Sequence, residues 1–489
     1  MAEISFEEFI TEIRTTICLF FFELTEEHKV AHTTAEKIFS NFQSVIDAVL
    51  RRFTEQVRKY VPSDVSHASG ELSSLLDCSF VKHLFAAVKT SYQREQFAKS
   101  VFPYVAPQQC ALGENGRASF QYVPIQKVLG KLVEAQNLTD CILKRSQDAH
   151  SILSTLRDFW DGSCYRGHVN SVIPMAFAGT IYILLYTDEL EIVNPLGSKR
   201  GVHKLYVVYF SVLNIHPQFR SKIKHLHLVI IAKYADVQRY GQHDVLKPLL
   251  TDLLTLQHEG LSITRNGAVL TVNVIVNAFI GDNLSMNKLG GFTTSFSSGR
   301  VCRFCMAQAG DLTALTREEL CVLRTKAAHQ KHLGAIASNP EMKKLYGVTE
   351  PSPLLALNYF DVTAQLPPDL MHDIFEGSLA YVIHHVLQGL VADCVLRPSD
   401  IEKVVHFRYG VNDKKNRPEA ISETFLRDYH ALRGTASQKW CLFRLLPLII
   451  GSSIPEGNDH WCIYLAFREV VDLLLAEEVP IECVPYLEV

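Results

Sequence analysis

The chain has 489 residues, of which 47% are hydrophobic, 20% charged and 10% aromatic, with a formal net charge of −4. That length and composition fit two or three globular domains and exclude large-scale disorder. The acidic balance excludes a surface that binds nucleic acid everywhere, so any DNA contact must use local basic patches.

Residues 1–100 carry helical periodicity. ISFEEFITEIRTTICLFFFEL is followed by HTTAEKIFSNFQSVIDAVLRRF, with Thr33 or Thr34 as N-cap. A break falls at Val61–Gly70, and SSLLDCSFVKHLFAAVKTSYQREQF resumes the helical spacing. Residues 101–125 read as irregular or strand-like, and FQYVPIQKVLGKLVEAQ returns to helix. The first 150 residues carry no chemical motif and read as a helical docking or dimerisation region.

Near residue 180 the period changes. TIYILLYTDELEIV, KLYVVYFSVLNI and HLHLVIIAKYA are β-rich runs separated by turn residues. The run Val172–Tyr186 is too short to span a bilayer and reads as a buried strand with its approach. GQHDVLKPLLTDLLTLQHEG is an amphipathic helix closed by Gly260, and AVLTVNVIVNAFIGDN is a fourth strand with Asp282 just past its end. Cys302 and Cys305 follow as a Cys-x-x-Cys pair. Beyond them TREELCVLRTKAAHQKHLGAI, NPEMKKLYGV and SLAYVIHHVLQGLVADCVL are helical, and Arg408–Ala420 is a polar loop. ASQKWCLFRLLPLIIGSSIPE and WCIYLAFREVVDLLLAEE read as buried helices, the former bent or ended at Pro447.

The chemistry rests on Asp188, on the first strand, and Asp282, after the fourth. Phosphodiester cleavage with two metal ions needs carboxylates that converge, and Mg²⁺ takes hard oxygen ligands, few of them from protein. Asp at a strand end equally caps a turn or a following helix, and spacing alone favours that reading. Glu189 and Glu191 fall on the other face of the strand from Asp188. The Cys302–Cys305 pair supplies half of a tetrahedral Zn²⁺ site, for which His372, His384 and His385 are candidates to complete the set. Asp369 and His372 follow Pro367-Pro368 at a helix start, where an N-cap role is the simpler one. Glu376 lies one helical turn past His372. Basic groups stand at Lys199-Arg200 with His203-Lys204, at Lys222, Lys224 and His225, and at Lys414-Lys415 with Arg417. They would contact phosphates or be solvated loops.

DELEIVNPLGSKRGVHKLYVVYFSVLNIHPQFRS resembles the first catalytic block of CACTA-like DDE transposases, including its Asn-Pro-Leu-Gly turn. GDNLSMNKLGGFTTSFSSGRVCRFC resembles the second block, with its Asp, Gly-Phe turn and Cys-x-x-Cys. LPPDLMHDIFEGSLAYVI resembles a further block with an Asp-x-x-His, and ASQKWCLFRLLPLIIGSSIPEGNDHWCIYLAFREVVDLLL the helical segment before the last catalytic block. The resemblance covers roughly residues 155–475. It implies an RNase H-like mixed sheet, in an α+β or α/β chain, over residues 151–310. A helical N-terminal region (1–150) would precede it, and a helical insertion (311–489) would follow, truncated before the last block. It makes Asp188 and Asp282 the catalytic acids, with Mg²⁺ or Mn²⁺ as their cofactor. It places Asp369 and His372 next to metal and suggests Zn²⁺ at Cys302 and Cys305. The implied partner is transposon-end DNA, with a possible homo-oligomer and no membrane. The third acid would lie beyond Val489, which leads to the expectation of a domesticated, inactive DNA-binding remnant. A non-enzymatic scaffold and an unselected transposon fragment are the alternatives. The acidic opening, without a leader pattern, and the scattered cysteines point to a nuclear or cytoplasmic protein, not a secreted one.

Overall fold

The computed structural model describes residues 5–60, 85–113, 116–135, 138–144, 154–166, 177–192, 203–427 and 432–487. The break at 61–70, the start of the third helical segment, the Asn-Pro-Leu-Gly turn and Lys199-Arg200 lie outside them. The chain forms two compact units, Met1–Ala106 and Pro107–Val489.

In the first unit α1 (Phe6–Phe22) starts from a capping box, in which the Ser5 hydroxyl accepts from the Glu8 N–H and Glu8 answers the Ser5 N–H. Helix α2 (His32–Arg58) begins from Ala31 with no side-chain cap, so neither Thr33 nor Thr34 plays that part. Thr90 caps α3 (Ser91–Val101). The small core gathers Ile10, Ile17, Phe21, Phe39, Phe85 and Val88. Arg94 is fully buried within it, stacked 3.8 Å from the Phe21 ring and paired with Glu36. Its donors also close on Val88 O and Lys89 O, which satisfies a charge that would otherwise be costly to bury.

The second unit is a mixed α/β structure built on one seven-stranded sheet. Its strands are β1 (Gln108–Leu112), β2 (Ala118–Tyr122), β4 (Thr180–Glu191), β5 (Lys204–Val212), β6 (His227–Lys233), β7 (Leu261–Arg265) and β8 (Ala268–Ile280). A two-stranded ribbon joins β3 (Thr155–Leu156) to β9 (Val479–Pro480). The sheet order is β1-β2-β6-β5-β4-β8-β7. All neighbours are antiparallel except β4 and β8. The hairpin β1–β2 belongs to this sheet, in the unit that begins at Pro107. Strand β7 is an addition to the four strands expected. Asn266 and Gly267, both at positive φ, turn it tightly into β8.

Helix α4 (Ile125–Ala135) and helix α5 (Gln242–Glu259) cover the sheet. Val245, Leu246, Leu249, Leu253 and Leu256 of α5 are buried at helical spacing against it. After β8 come α6 (Asn283–Leu289) and α7 (Lys326–Ser338). The helix expected from Thr316 starts only at Lys326, because Leu323 bridges to Cys305 instead. The sheet's core extends through Leu354, Tyr359, Phe360 and Leu366. A second core begins at Leu379. It joins α8 (Leu379–Ala392), entered through a π-helical turn over Met371–Ser378, to α9 (Ala436–Ile450) and α10 (Asp459–Leu475). Pro447 sits inside α9, which runs on to Ile450. Helix α10 is mostly exposed, with only Tyr464 and Val471 buried, in place of the buried helix expected. No helix among the described residues is long and apolar enough to cross a membrane.

One irregularity sets the register that matters most. Along the parallel pair, Ile183 faces Val276 but Leu184 faces Ala278, so Asn277 is an extra, bulged residue. The segment 359–366 clamps this bulge. Tyr359 Oη accepts from the Val276 N–H at 3.0 Å, and Gln365 Nε2 donates to Val276 O at 3.1 Å and Asn277 O at 3.0 Å. Gln365 Oε1 in turn accepts from the Asp361 N–H, and Gln365 O from the Phe279 N–H. Gln365→Leu would leave buried carbonyls unpaired, so it is expected to cost about 1–3 kcal/mol of unfolding free energy, read by urea denaturation.

Candidate acid site at the ends of the parallel strands

Tyr186 of β4 pairs with Ile280 of β8. Asp188 and Asp282 each stand two residues further on. The bulge makes this level possible: from Ile183 to Asp188 is five residues, from Val276 to Asp282 six, and Asn277 absorbs the difference. The two sequence-derived acids therefore come to neighbouring strand ends at one edge of the sheet. Gly281 brings the segments close. A Cβ there would lie 3.0 Å from Thr187 O and 2.9 Å from the Met286 methyl.

Each acid is partly committed. Asp188 is half-buried, accepting from the Glu189 N–H at 2.7 Å and from the Tyr186 hydroxyl at 3.3 Å. Asp282 is also half-buried and caps α6, with Oδ1 accepting from the Ser285 N–H at 2.6 Å. The capping role foreseen for an Asp at a strand end is thus real, and it leaves Oδ2 outside that bond. Glu189 bonds Lys204 at 3.2 Å. Leu190, two residues past Asp188, is exposed.

Asp369 and His372 arrive at the same edge. Asp369 Oδ2 meets His372 Nδ1 at 2.6 Å, and Oδ1 accepts from the Met371 N–H. Burial disfavours the imidazolium, but the Asp369 bond and charge, with Asp282 and Glu376 behind them, outweigh it and raise the His372 pKa. The Tyr186 phenol is pushed up by burial and by the charges of Asp188 and Asp369. Two different groups therefore feel Asp369, one together with Asp188 and the other together with Asp282. The geometric tie is through Asn283, whose amide donates to the Asp373 carboxylate, while the Asp373 N–H donates to Asp369 O, so the Asp369 and Asp282 segments lie against one another.

Cys302 and Cys305 form a tight loop next to this edge. The Phe304 N–H points at Cys302 Sγ at 3.3 Å, and the Arg324 N–H donates to Phe304 O at 2.7 Å. Burial and the neighbouring Cys305 raise the Cys302 thiol pKa. Arg324, 5% exposed, sends Nε to Cys302 O and Cys305 O. The Gly290-Gly291 turn packs against the 350–352 segment and Leu366. Gly291 has φ +74° and a Cβ there would lie 2.0 Å from Glu350 O, so no side chain fits.

The histidines considered for zinc go elsewhere. His372 is committed to Asp369, His384 is buried against Phe425 in the second core, and His385 stacks on Tyr381. Among the described residues no three His, Cys, Asp or Glu side chains are grouped so as to hold a metal ion. The two thiols by themselves do not fit a closed four-ligand zinc centre. Mg²⁺ and Mn²⁺ take carboxylate oxygens and complete their shells with water, so they, and not Zn²⁺, are the ions whose chemistry suits aspartates.

Four residues that hold the site escaped the sequence reading. Arg303 passed as a spacer within Cys-x-x-Cys, and Arg324 and Gln365 carried no motif at all. Gly281, adjoining an acid at a strand end, was the one with a usable signal. Compared with known proteins, the chain matches no family model and no curated sequence matches it significantly.

Gly281→Ala is expected to cost about 1–3 kcal/mol by overpacking against Thr187, measured by chemical denaturation. A second expectation concerns His329 of α7, 2% exposed and set against Phe292, with neither ring nitrogen hydrogen-bonded. Burial, with Arg324 nearby, lowers its pKa from 6.5 to about 4. The folded state holds the neutral ring, so this stability is full above pH 6.5 and is lost as pH falls towards about 4. His329→Leu should flatten the fall of unfolding free energy across that window.

Proposed function

We propose that the second unit is an RNase H-like core of CACTA-like transposase descent. It would bind DNA at the edge carrying Asp188 and Asp282, whose carboxylates would hold Mg²⁺ or Mn²⁺. The observation that carries this reading is the parallel pairing of β4 with β8, levelled so that both acids stand two residues past the Tyr186–Ile280 pair. The sheet supports it too. The order β6-β5-β4-β8 has three antiparallel strands and then a parallel fourth beside the first, joined through helix α5. The antiparallel neighbour β7 and the added hairpin β1–β2 are departures from the simplest form of that core.

Two cations would contact phosphate at the acid edge, one of them, Lys204, paired with Glu189. Lys204 and Lys233 end neighbouring strands there, since Lys204 faces Glu191 and Lys233 faces Leu205 in the sheet register. Lys222, Lys224 and His225 precede β6, whose first residue faces Phe210, and so they mark the opposite edge of the sheet. That cluster cannot serve the acid edge. Arg417 is stacked on Tyr409.

The bound cation would polarise a phosphodiester oxygen. The chain's own groups do the rest. Asp188 and Asp282 set the position, the Ser285 and Glu189 N–H groups fix the carboxylate orientations, and Asp369 holds His372 beside them. With two carboxylates aimed at the cation, turnover is weak, because the parts of such a site act as a unit.

The test is Mn²⁺ binding by electron paramagnetic resonance, together with DNA binding at fixed salt, with and without the metal. Metal-strengthened DNA binding that disappears in Asp188→Asn and Asp282→Asn is the expected result. DNA binding indifferent to metal and to both substitutions would remove this reading in favour of a metal-free scaffold. Efficient plasmid nicking abolished by Asp282→Ala would overturn the weak turnover.

A further inference from the structure

We infer that Arg303 is the positioning residue of the acid edge, holding the Asp369 segment against the Asp282 segment; this rests on the functional reading above. Arg303 lies between the two cysteines and is only 4% exposed. Its guanidinium reaches both acid-bearing segments at once. On one side NH1 donates to Asn283 Oδ1 at 2.7 Å and to Asn287 Oδ1 at 3.3 Å. Asn283 directly follows Asp282, and both amides lie on the helix that Asp282 caps. On the other side Nε donates to Leu366 O at 2.8 Å and NH2 to Pro367 O at 2.9 Å, just ahead of Asp369.

The link closes into a ring. Asn283 turns its amide N–H₂ to the Asp373 carboxylate, and the Asp373 N–H donates to Asp369 O at 2.8 Å. Asp282, Asn283, Asp373, Asp369 and Arg303 are thus joined through four hydrogen-bonded contacts and short stretches of chain. The Arg303 side chain is steadied over the Phe304 ring, 4.6 Å from its centroid.

Two features give this arrangement a role beyond packing. A planar fork with several fixed donors can serve two carbonyls and two amides simultaneously, which a lysine ammonium on a flexible stem cannot. Arg303 also places a buried positive charge beside Asp373, within the group that contains Asp282 and Asp369, with no carboxylate bonded to it directly. That charge offsets repulsion among the acids and so favours holding their segments close together.

The experiment uses the full chain, comparing wild type, Arg303→Lys and Asn283→Leu. Mn²⁺ affinity, thermal unfolding and amide hydrogen exchange are measured on each. Arg303→Lys keeps the charge and loses the fork. It is expected to unfold cooperatively, to bind Mn²⁺ about 10–100-fold more weakly, as loss of a ligand-orienting partner does, and to exchange faster over residues 366–373 with β4 and β5 unchanged. Asn283→Leu leaves the carbonyl bonds of Arg303 intact and should show both changes to a smaller extent. It replaces Arg303→Lys as the deciding variant if that one does not fold. Wild-type Mn²⁺ affinity together with unaltered exchange over 366–373 would overturn the assignment. If wild type binds no Mn²⁺ at the acids, the functional reading falls, and the exchange comparison alone decides whether Arg303 holds the two segments together.

Discussion

β4 and β8 run side by side in the same direction, and the acid edge exists because of that pairing. Antiparallel neighbours would have sent their C-terminal ends to opposite edges of the sheet. A parallel pair sends both ends to one edge, where the loops that follow can carry polar groups into solvent. Parallel pairing needs a crossover, and here β6, α5 and the β7 hairpin fill the chain between β5 and β8. The buried leucines of α5 hold that crossover on the sheet.

Parallel pairing alone would leave the two acids one residue out of level. The bulge at Asn277 removes the mismatch, and a segment more than eighty residues further along stabilises it through Tyr359 and Gln365. The same segment continues into Asp369 and His372. The clamp on the bulge and the delivery of the Asp369–His372 pair are therefore one structural act. Residues 359–372 are the bridge from the sheet's core to the helical core that starts at Leu379.

The cysteine loop acquires a different meaning in this setting. Its two thiols belong to no metal-holding group among the described residues, and the loop's contacts run through its backbone and its arginine. Arg324 bonds the carbonyls of both cysteines from beneath, and Arg303 projects from between them into the acid edge. A buried guanidinium is costly unless its donors are used; every nitrogen of Arg303 is bonded, whereas Arg324 bonds through Nε and Nη2 and its Nη1 finds no partner.

The alternation of strand and helix, the positions of Asp188 and Asp282, and the amphipathic face of α5 could be read from periodicity, because each depends on neighbours a few residues away. The cap by Asp282 was legible for the same reason. What the sequence could not reveal was long-range. The extra residue at Asn277 looks like any other in an apolar run, Gln365 shows its importance through partners 88 and 89 residues distant, and Arg303 through partners 16 to 64 residues distant. The hairpin strands β1, β2 and β7 were missed or left vague, since short strands earn their stability from the sheet they join and carry a weak local signal. The separation of His384 from the thiols was likewise decided by which core the helix entered. Local pattern determined which residues carry acid, thiol and imidazole chemistry. Tertiary packing decided which of them meet, because level and proximity at a sheet edge are properties of paired strands and not of either strand alone.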